Sequence, residues 1–341
     1  MWLKYNIISR VKQNLLYEGI LFFWADIAIV IFRMLKFIQM SSTTPLVACS
    51  SACLEADADN WLIRISRLFA GRLPLQLILK ENQEGLVRIE AGLAGKSFIS
   101  FIFKKPGKPV IFLLPGAGAS DRSKKLFLKR FSFLLHQGHP LALCHFENSF
   151  PRSDEDFFRQ IKQQVALISS GLDFWEKFTG IAGQDFFFVA VSAGGFSGII
   201  AASLDKRLKK ILLLGCGGDC EVLTWRGLLR LVLKKDCPRK ACVNMHRAYR
   251  QILKKSLYAQ LPLLPRHCFL YDPLTLAPAI ADRSILMING LFDLVVPFSC
   301  ALRLRHRLGK PPLLWYPGTH LMLPWFLPFF RKKLHLFFLA D

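Results

Sequence analysis

Acidic residues are scarce in this chain: 24 Asp and Glu stand against 46 Lys and Arg, a formal charge of +22 at pH 7 over 341 residues. Such a balance points to an anionic neighbour, which would be nucleic acid, an acidic membrane surface or an acidic substrate, or else to a broadly solvated basic surface. Paired cysteine spacing is lacking too. The nine cysteines are odd in number and scattered, which favours reduced, buried thiols over a disulfide framework. Cys216, Cys220, Cys237, Cys242 and His246 match no standard zinc spacing, so neither a metal nor a cofactor is expected. No internal repeat and no long low-complexity segment appears.

Long uninterrupted apolar runs are also missing. Residues 19–35 (GILFFWADIAIVIFRML) come nearest, but Asp26 sits at their centre. Each clean run is too short for a bilayer span, and a central carboxylate costs about 3 kcal/mol or more there. No small-residue cleavage site follows directly, which makes the run a poor signal peptide. The LVAC at Leu46–Cys49 is separated from the apolar run by SSTTP. Residues 1–40 therefore read as an apolar helical segment lying on a membrane or on the domain itself, and residues 41–74 as a linker and lead-in.

The remainder, 75–341, alternates strand-like and helix-like patterns. Residues 76–80, 86–91 and 97–104 suggest a hairpin-like start. Buried strands follow at PVIFLL, HPLALCHF, FFFVAV, KKILLLG, SILMING and PPLLWY. Between them lie helical patterns over 121–138, 153–178 and 194–200, then over PFSCALRLRHRLG, with a last helix after Pro328. Ser120 or Asp121 would cap the first, and Phe158, Ile161, Val165 and Ile168 form the apolar face of the second. Continuous apolar strands alternating with helices predict an α/β fold, a mainly parallel sheet with helices on both faces. Sites in such sheets lie beyond the carboxyl ends of the strands. Four of those ends carry Gly116-Ala117-Gly118, Ser192, Asp293 and His320.

A serine hydroxyl is a weak nucleophile that needs an adjacent base, and the base needs an orienting acid. Here AVSAGG places Ser192 at a strand-to-helix corner, MINGLFDLVVP carries Asp293, and YPGTH carries His320 after the last strand. The set resembles the α/β-hydrolase superfamily, whose nucleophile elbow reads G-x-S-x-G and whose acid loop reads G-x-x-D-x-x-x-P. Ala190 stands where the elbow has its first glycine, and Pro115 where a histidine often precedes the oxyanion turn. The resemblance covers roughly residues 75–340. It implies an esterase- or lipase-like serine hydrolase acting on a carboxylic ester, with an amide or thioester as lesser options. It also implies a catalytic triad of Ser192, Asp293 and His320. Asp219, after the preceding strand, is an alternative acid. The implied oxyanion donors are the amide of Ala193 and one from Gly116 or Ala117. A sequence that keeps the fold but only binds a partner, or works as a membrane-surface interaction protein, is the alternative. His145 follows a strand and is a further candidate to line the site.

Residues 222–271 fall where this superfamily often inserts a helical cap. They hold eleven Lys and Arg against one acid. VLTWRGLLRLVLKK reads as one helix with Arg226, Arg230 and Lys234 in a stripe beside an apolar face, which suits an anionic membrane surface or a cap packed on the sheet. Nucleic acid is not expected, since no helix-turn-helix or RNA-binding signature accompanies the charge. Neither GxxxxGK[ST] nor a full GxGxxG occurs, so Gly116–Gly118 is no phosphate loop. The expected partner is a small-molecule or lipid ester, and the expected location is cytoplasmic, extending to the inner membrane face.

Overall fold

Val110–Leu114 (VIFLL) is buried at every position, as only a strand covered on both faces can be. In this computed structural model it is one of nine strands in a single sheet. The structure describes residues 68–339, apart from 84, 93–96, 147–150, 152, 232, 234–236, 256–260 and 262–265. The apolar segment expected over 1–40 and most of the 41–74 lead-in lie outside the described residues. Those described fall in the unit Cys53–Asp341.

The strands are β1 (Gln76–Gln83), β2 (Leu86–Gly92), β3 (Phe98–Phe103), β4 (Val110–Leu114), β5 (Leu141–His145), β6 (Phe186–Val191), β7 (Leu208–Leu214), β8 (Ser284–Gly290) and β9 (Leu313–Tyr316). Their spatial order is β1-β2-β3-β5-β4-β6-β7-β8-β9. β1, β2, β3 and β5 pair antiparallel. From β5 onward every pairing is parallel. The main helices are α1 (Asp121–Phe131), α2 (Asp154–Thr179), α3 (Gly194–Leu204), α4 (Cys220–Arg226), α5 (Arg239–Lys254), α6 (Phe298–Arg307) and α7 (Leu323–Leu339).

The two-residue period of each strand splits its side chains between two cores. Phe112, Leu114, Phe186, Phe188, Ile211, Leu213, Ile285 and Met287 face one core, which α2, α3 and α6 cover with Phe158, Ile161, Val165, Ile199 and Leu304. Ile111, Leu113, Phe187, Val189, Leu212, Leu214, Leu286 and Ile288 face the other, under Phe127 and Phe131 of α1 and Leu327, Leu334 and Phe338 of α7. Each buried side chain of this size stabilises the fold by roughly 1.5–3 kcal/mol.

Local signals set most boundaries. Ser120 caps α1 by accepting from the Ser123 amide, and Ser153 caps α2 in the same way from Asp156. α2 ends at Gly180 in the left-handed conformation, a common helix stop. Three boundaries depart from the sequence expectation. The first helix breaks at Ser132, and Phe133–His136 continues as a separate turn. The last helix begins at Leu323, before Pro328, and runs through it. Burial of Leu327, Leu334 and Phe338 outweighs the one hydrogen bond that an interior proline removes. The helix expected through VLTWRGLLRLVLKK stops at Arg226; Gly227 is extended and a short 3-10 turn covers Leu228–Leu231. Arg226 and Arg230 therefore do not share one helix, and Lys234 lies outside the described residues. The physical reason is tertiary: Leu228 N–H donates to the Leu294 carbonyl at 2.7 Å, and a Cβ at Gly227 would stand 2.9 Å from that same oxygen.

The seven described cysteines are free thiols, and Cys144, Cys216, Cys220, Cys242 and Cys300 are buried. No helix among the described residues is long and apolar enough to cross a membrane.

Candidate active site

β6 ends at Val191, and the next residue turns the chain back into α3. Ser192 makes that turn with φ at 52°, one of three non-glycine residues with positive φ among the described residues. A side chain held there costs about 1–3 kcal/mol and persists only where the surroundings enforce it. They do so from several sides. Ser192 N–H donates to the Leu214 carbonyl at the end of β7 (2.9 Å), and Gly195 N–H donates to the Ser192 carbonyl (3.0 Å). A Cβ at Gly194 would stand 2.6 Å from the Leu114 carbonyl oxygen, so only glycine lets α3 start this close to β4. Ala190 is wholly buried, and its methyl occupies the place of the missing glycine without disturbing the pairing to Leu114 and Leu213.

His320 opens the turn that leads from β9 into α7. Its Nδ1 lies 2.6 Å from Oδ2 of Asp293. The other carboxylate oxygen of Asp293 accepts the amides of Val295 (2.9 Å) and Val296 (2.8 Å). Asp293 is buried. With Oδ2 as the acceptor of the His320 contact, the hydrogen lies on Nδ1 and the Nε2 lone pair of His320 is left open. The acid loop is tied to the histidine loop through Leu291 N–H to the Tyr316 carbonyl (2.9 Å) and Phe292 N–H to the Gly318 carbonyl (3.1 Å).

The serine corner and the Asp–His pair converge on the end of β7. Leu214 receives the Ser192 amide, and the following residue, Gly215, lies against the imidazole. Gly215 has φ at 59°, and a Cβ on it would stand 3.1 Å from His320 Cε1. Ser192 Oγ and His320 are not hydrogen-bonded to each other among the described contacts. Such contacts often tighten only when substrate binds.

Gly116 lies beside the serine: a Cβ on it would be 3.2 Å from Ser192 Cβ and 3.8 Å from Oγ. No side chain caps the N-terminus of α3, which begins after Ala193. Gly195 and Phe196 N–H donate to the Ser192 and Ala193 carbonyls (3.0 Å each), and the helix end carries roughly half a positive charge. The backbone around Gly116 and Ala193 can therefore stabilise an anion forming next to Ser192.

The other candidates lie elsewhere. Asp219 is fully buried, and its carboxylate is held by Arg250 (3.2 Å) and by Arg303, while its own amide donates to Asp272 (3.1 Å). It makes no hydrogen bond to His320. His145 stacks on Phe98, ring centroids 4.2 Å apart, and shares a 3.1 Å hydrogen bond with Ser100. Burial lowers its pKa to about 4, so at neutral pH it is an uncharged part of the β3–β5 packing. Sequence reasoning missed the place of Gly215 and Cys216 at the site, although it read Cys216 as a buried thiol. The Sγ of Cys216 lies 3.4 Å from the Ser192 carbonyl, and burial pushes its thiol up to about 12, which makes it packing beneath the corner. The glycine-rich GCGGD after β7 was the signal for both. No group of three metal-ligating side chains occurs among the described residues.

This sheet order, with its serine on a strained strand-to-helix corner, defines the α/β-hydrolase fold. Comparison with solved structures agrees. The chain is similar to a cold-adapted esterase from an Arctic intertidal metagenomic library, at 14% identity and a TM-score of 0.50, over 77% of this chain and 98% of the esterase. It is also similar to an acetyl xylan esterase from Paenibacillus sp. R4, at 14% identity and a TM-score of 0.52, over 85% of this chain and 96% of that one. No protein-family model and no curated protein sequence matches the chain.

Proposed function

We propose that this protein is a serine hydrolase that cleaves a carboxylic ester through an acyl-serine intermediate. The observation that carries this reading is the 2.6 Å contact between His320 Nδ1 and Asp293 Oδ2, set against the same strand end that receives the Ser192 amide. In this reading Ser192 Oγ attacks the ester carbonyl while His320 Nε2 takes its proton. Asp293 keeps the Nδ1 proton in place and stabilises the imidazolium that forms. The Ala193 amide and one from Gly116 or Ala117 receive the oxyanion, where each donor contributes about 10²–10³ in rate. His320 then passes its proton to the departing alkoxide. Water, deprotonated by the same imidazole, releases the acid and restores Ser192.

An apolar acyl part is supported by the surface around the pair. Leu291 (43% exposed), Phe292 (63%) and Leu294 (61%) bracket Asp293, and Leu321 (38%) follows His320. Exposed apolar groups clustered at a candidate site mark a place where apolar surface is received. Together with the +22 charge, they support a lipid or acyl ester taken from an anionic membrane surface, on its cytoplasmic side. The cap role of residues 222–271 belongs to the same proposal. The second reading, a non-catalytic binding protein, is favoured by the missing hydrogen bond between Ser192 and His320.

The deciding experiment is labelling with a fluorophosphonate probe. Wild type is expected to label, and both Ser192→Ala and His320→Ala to lose the label. Folded wild type that stays unlabelled would establish the binding reading instead. If labelling occurs, p-nitrophenyl esters of increasing chain length are expected to show kcat/KM rising with acyl length.

A further inference from the structure

α5 and α6 each carry a row of basic residues, and the fold turns the two rows toward one another. Arg250 and Lys254 are one turn apart on α5; Arg303, His306 and Arg307 share one face of α6. These five line a single cavity of about 610 Å³ whose remaining wall is leucine. That volume falls among small-molecule sites, about 300–1,000 Å³. No acid is among the lining residues. None of the candidate catalytic residues is either.

The acids beneath the cavity offset part of this charge. Buried Asp219 pairs with Arg250 and Arg303, and buried Glu221 pairs with Arg250 (3.1 Å). Asp272 lies behind Asp219, accepting its amide, and burial beside that carboxylate raises its pKa. The helix ends supply further partial negative charge. Arg307 donates to the carbonyls of Leu274 (3.1 Å) and Leu253 (3.4 Å), which fixes its position on the wall. Among the described residues Lys254 and His306 have no acidic partner within salt-bridge distance. Arg250 and Arg303 each engage the acids through one terminal nitrogen. The rest of each guanidinium fork remains to serve a ligand. Guanidinium forks anchored from behind, with a lysine on the same wall, suit the tetrahedral oxygens of a phosphoryl group.

We propose that this cavity binds a phosphoryl-bearing anion, at a site separate from the Ser192 corner. The phosphoryl group comes either from a soluble phosphorylated small molecule or from a lipid headgroup. The leucine wall accepts the apolar part of either. The loop from Gly215 to Asp219 joins the two places, with Gly215 against His320 and Asp219 anchoring the two arginines.

The test is calorimetric titration of the full chain with inorganic pyrophosphate at low salt, beside sedimentation with phosphatidylcholine vesicles with and without phosphatidic acid. The probing variant is Lys254→Glu with His306→Glu, both exposed residues whose replacement spares the buried Asp219 pairs. The control is Lys332→Glu with Lys333→Glu on α7, also exposed, which removes at least as much charge elsewhere. Wild type is expected to bind one pyrophosphate, with affinity at least about tenfold weaker in the probing variant and little changed in the control. Pyrophosphate binding with that pattern identifies a soluble ligand. The same pattern seen only with phosphatidic acid vesicles identifies a headgroup. Absence of binding to both probes overturns the proposal. So does an equal loss in probing variant and control, which would show diffuse surface charge, or no loss in either.

Discussion

At the scale of single residues, the candidate site depends on small groups that hold larger ones in place. Asp293 spends one oxygen on two loop amides and the other on His320. Asp293→Asn keeps an acceptor for the amides but turns an N–H₂ toward Nδ1, which forces the proton onto Nε2. In the proposed mechanism that removes the base, and kcat for an ester is expected to fall about 10³–10⁴-fold, by comparison with the same change in a serine protease, with thermal stability nearly kept. Gly215→Ala would combine a left-handed φ with a Cβ 3.1 Å from His320. It is expected to lower stability by about 1 kcal/mol or more and kcat by more than that loss explains, read from chemical denaturation beside ester kinetics. His145 makes a different prediction. Burial first, and Lys124 second, lower its pKa from the usual 6.5 to about 4. Below 6.5 the unfolded chain takes up a proton that the native state refuses until about 4, so stability falls as pH drops through that window. His145→Gln is expected to flatten Tm against pH between those limits. An unchanged slope would show that His145 titrates normally.

At the scale of elements, strands were more legible than helix ends. The β4, β6, β7 and β8 runs are apolar at consecutive positions, a pattern that only a doubly covered strand needs, and they appear where expected. Helix limits depend on competition between local breakers and distant partners. Ser132 and Gly227 end helices that the apolar period alone would continue, whereas Pro328 fails to end one. Pro328 removes a backbone hydrogen bond inside α7, and Pro328→Ala is expected to stabilise the protein by about 1–2 kcal/mol. The gain is less than the roughly 3 kcal/mol of a free helix, because proline also restricts the unfolded chain. A lower Tm would mean that the ring itself packs productively. At Gly227 the opposite holds. A side chain there meets the Leu294 and Val295 carbonyls, so Gly227→Val should separate the 228–231 turn from the acid loop. A destabilisation of about 1–3 kcal/mol is expected, read by urea denaturation.

At the scale of the molecule, charge dominates. A chain at +22 repels itself, and some of its acids gather around arginines. Arg207 gathers Asp173, Glu176 and Asp205, and Asp219 with Glu221 holds Arg250. These partly buried groups are little screened, while the scattered surface cations are screened strongly once the Debye length shortens to about 8 Å. Tm is therefore expected to rise between low salt and 0.15 M salt. A fall would mean that the ion-pair clusters matter more than global repulsion.

The sequence by itself determined the sheet and which strand ends carry the candidate residues. Period-2 and continuous apolar runs need no distant partner to be read, and Ser192, Asp293 and His320 follow strand ends in a readable order. Only the tertiary structure decided which carboxylate serves the histidine. Asp293 and Asp219 both follow strands, yet backbone amides aim Asp293 at His320, while two arginines from α5 and α6 draw Asp219 away. Those arginines lie 31 and 84 residues from Asp219 along the chain. Their meeting is a property of packing, which no local pattern encodes.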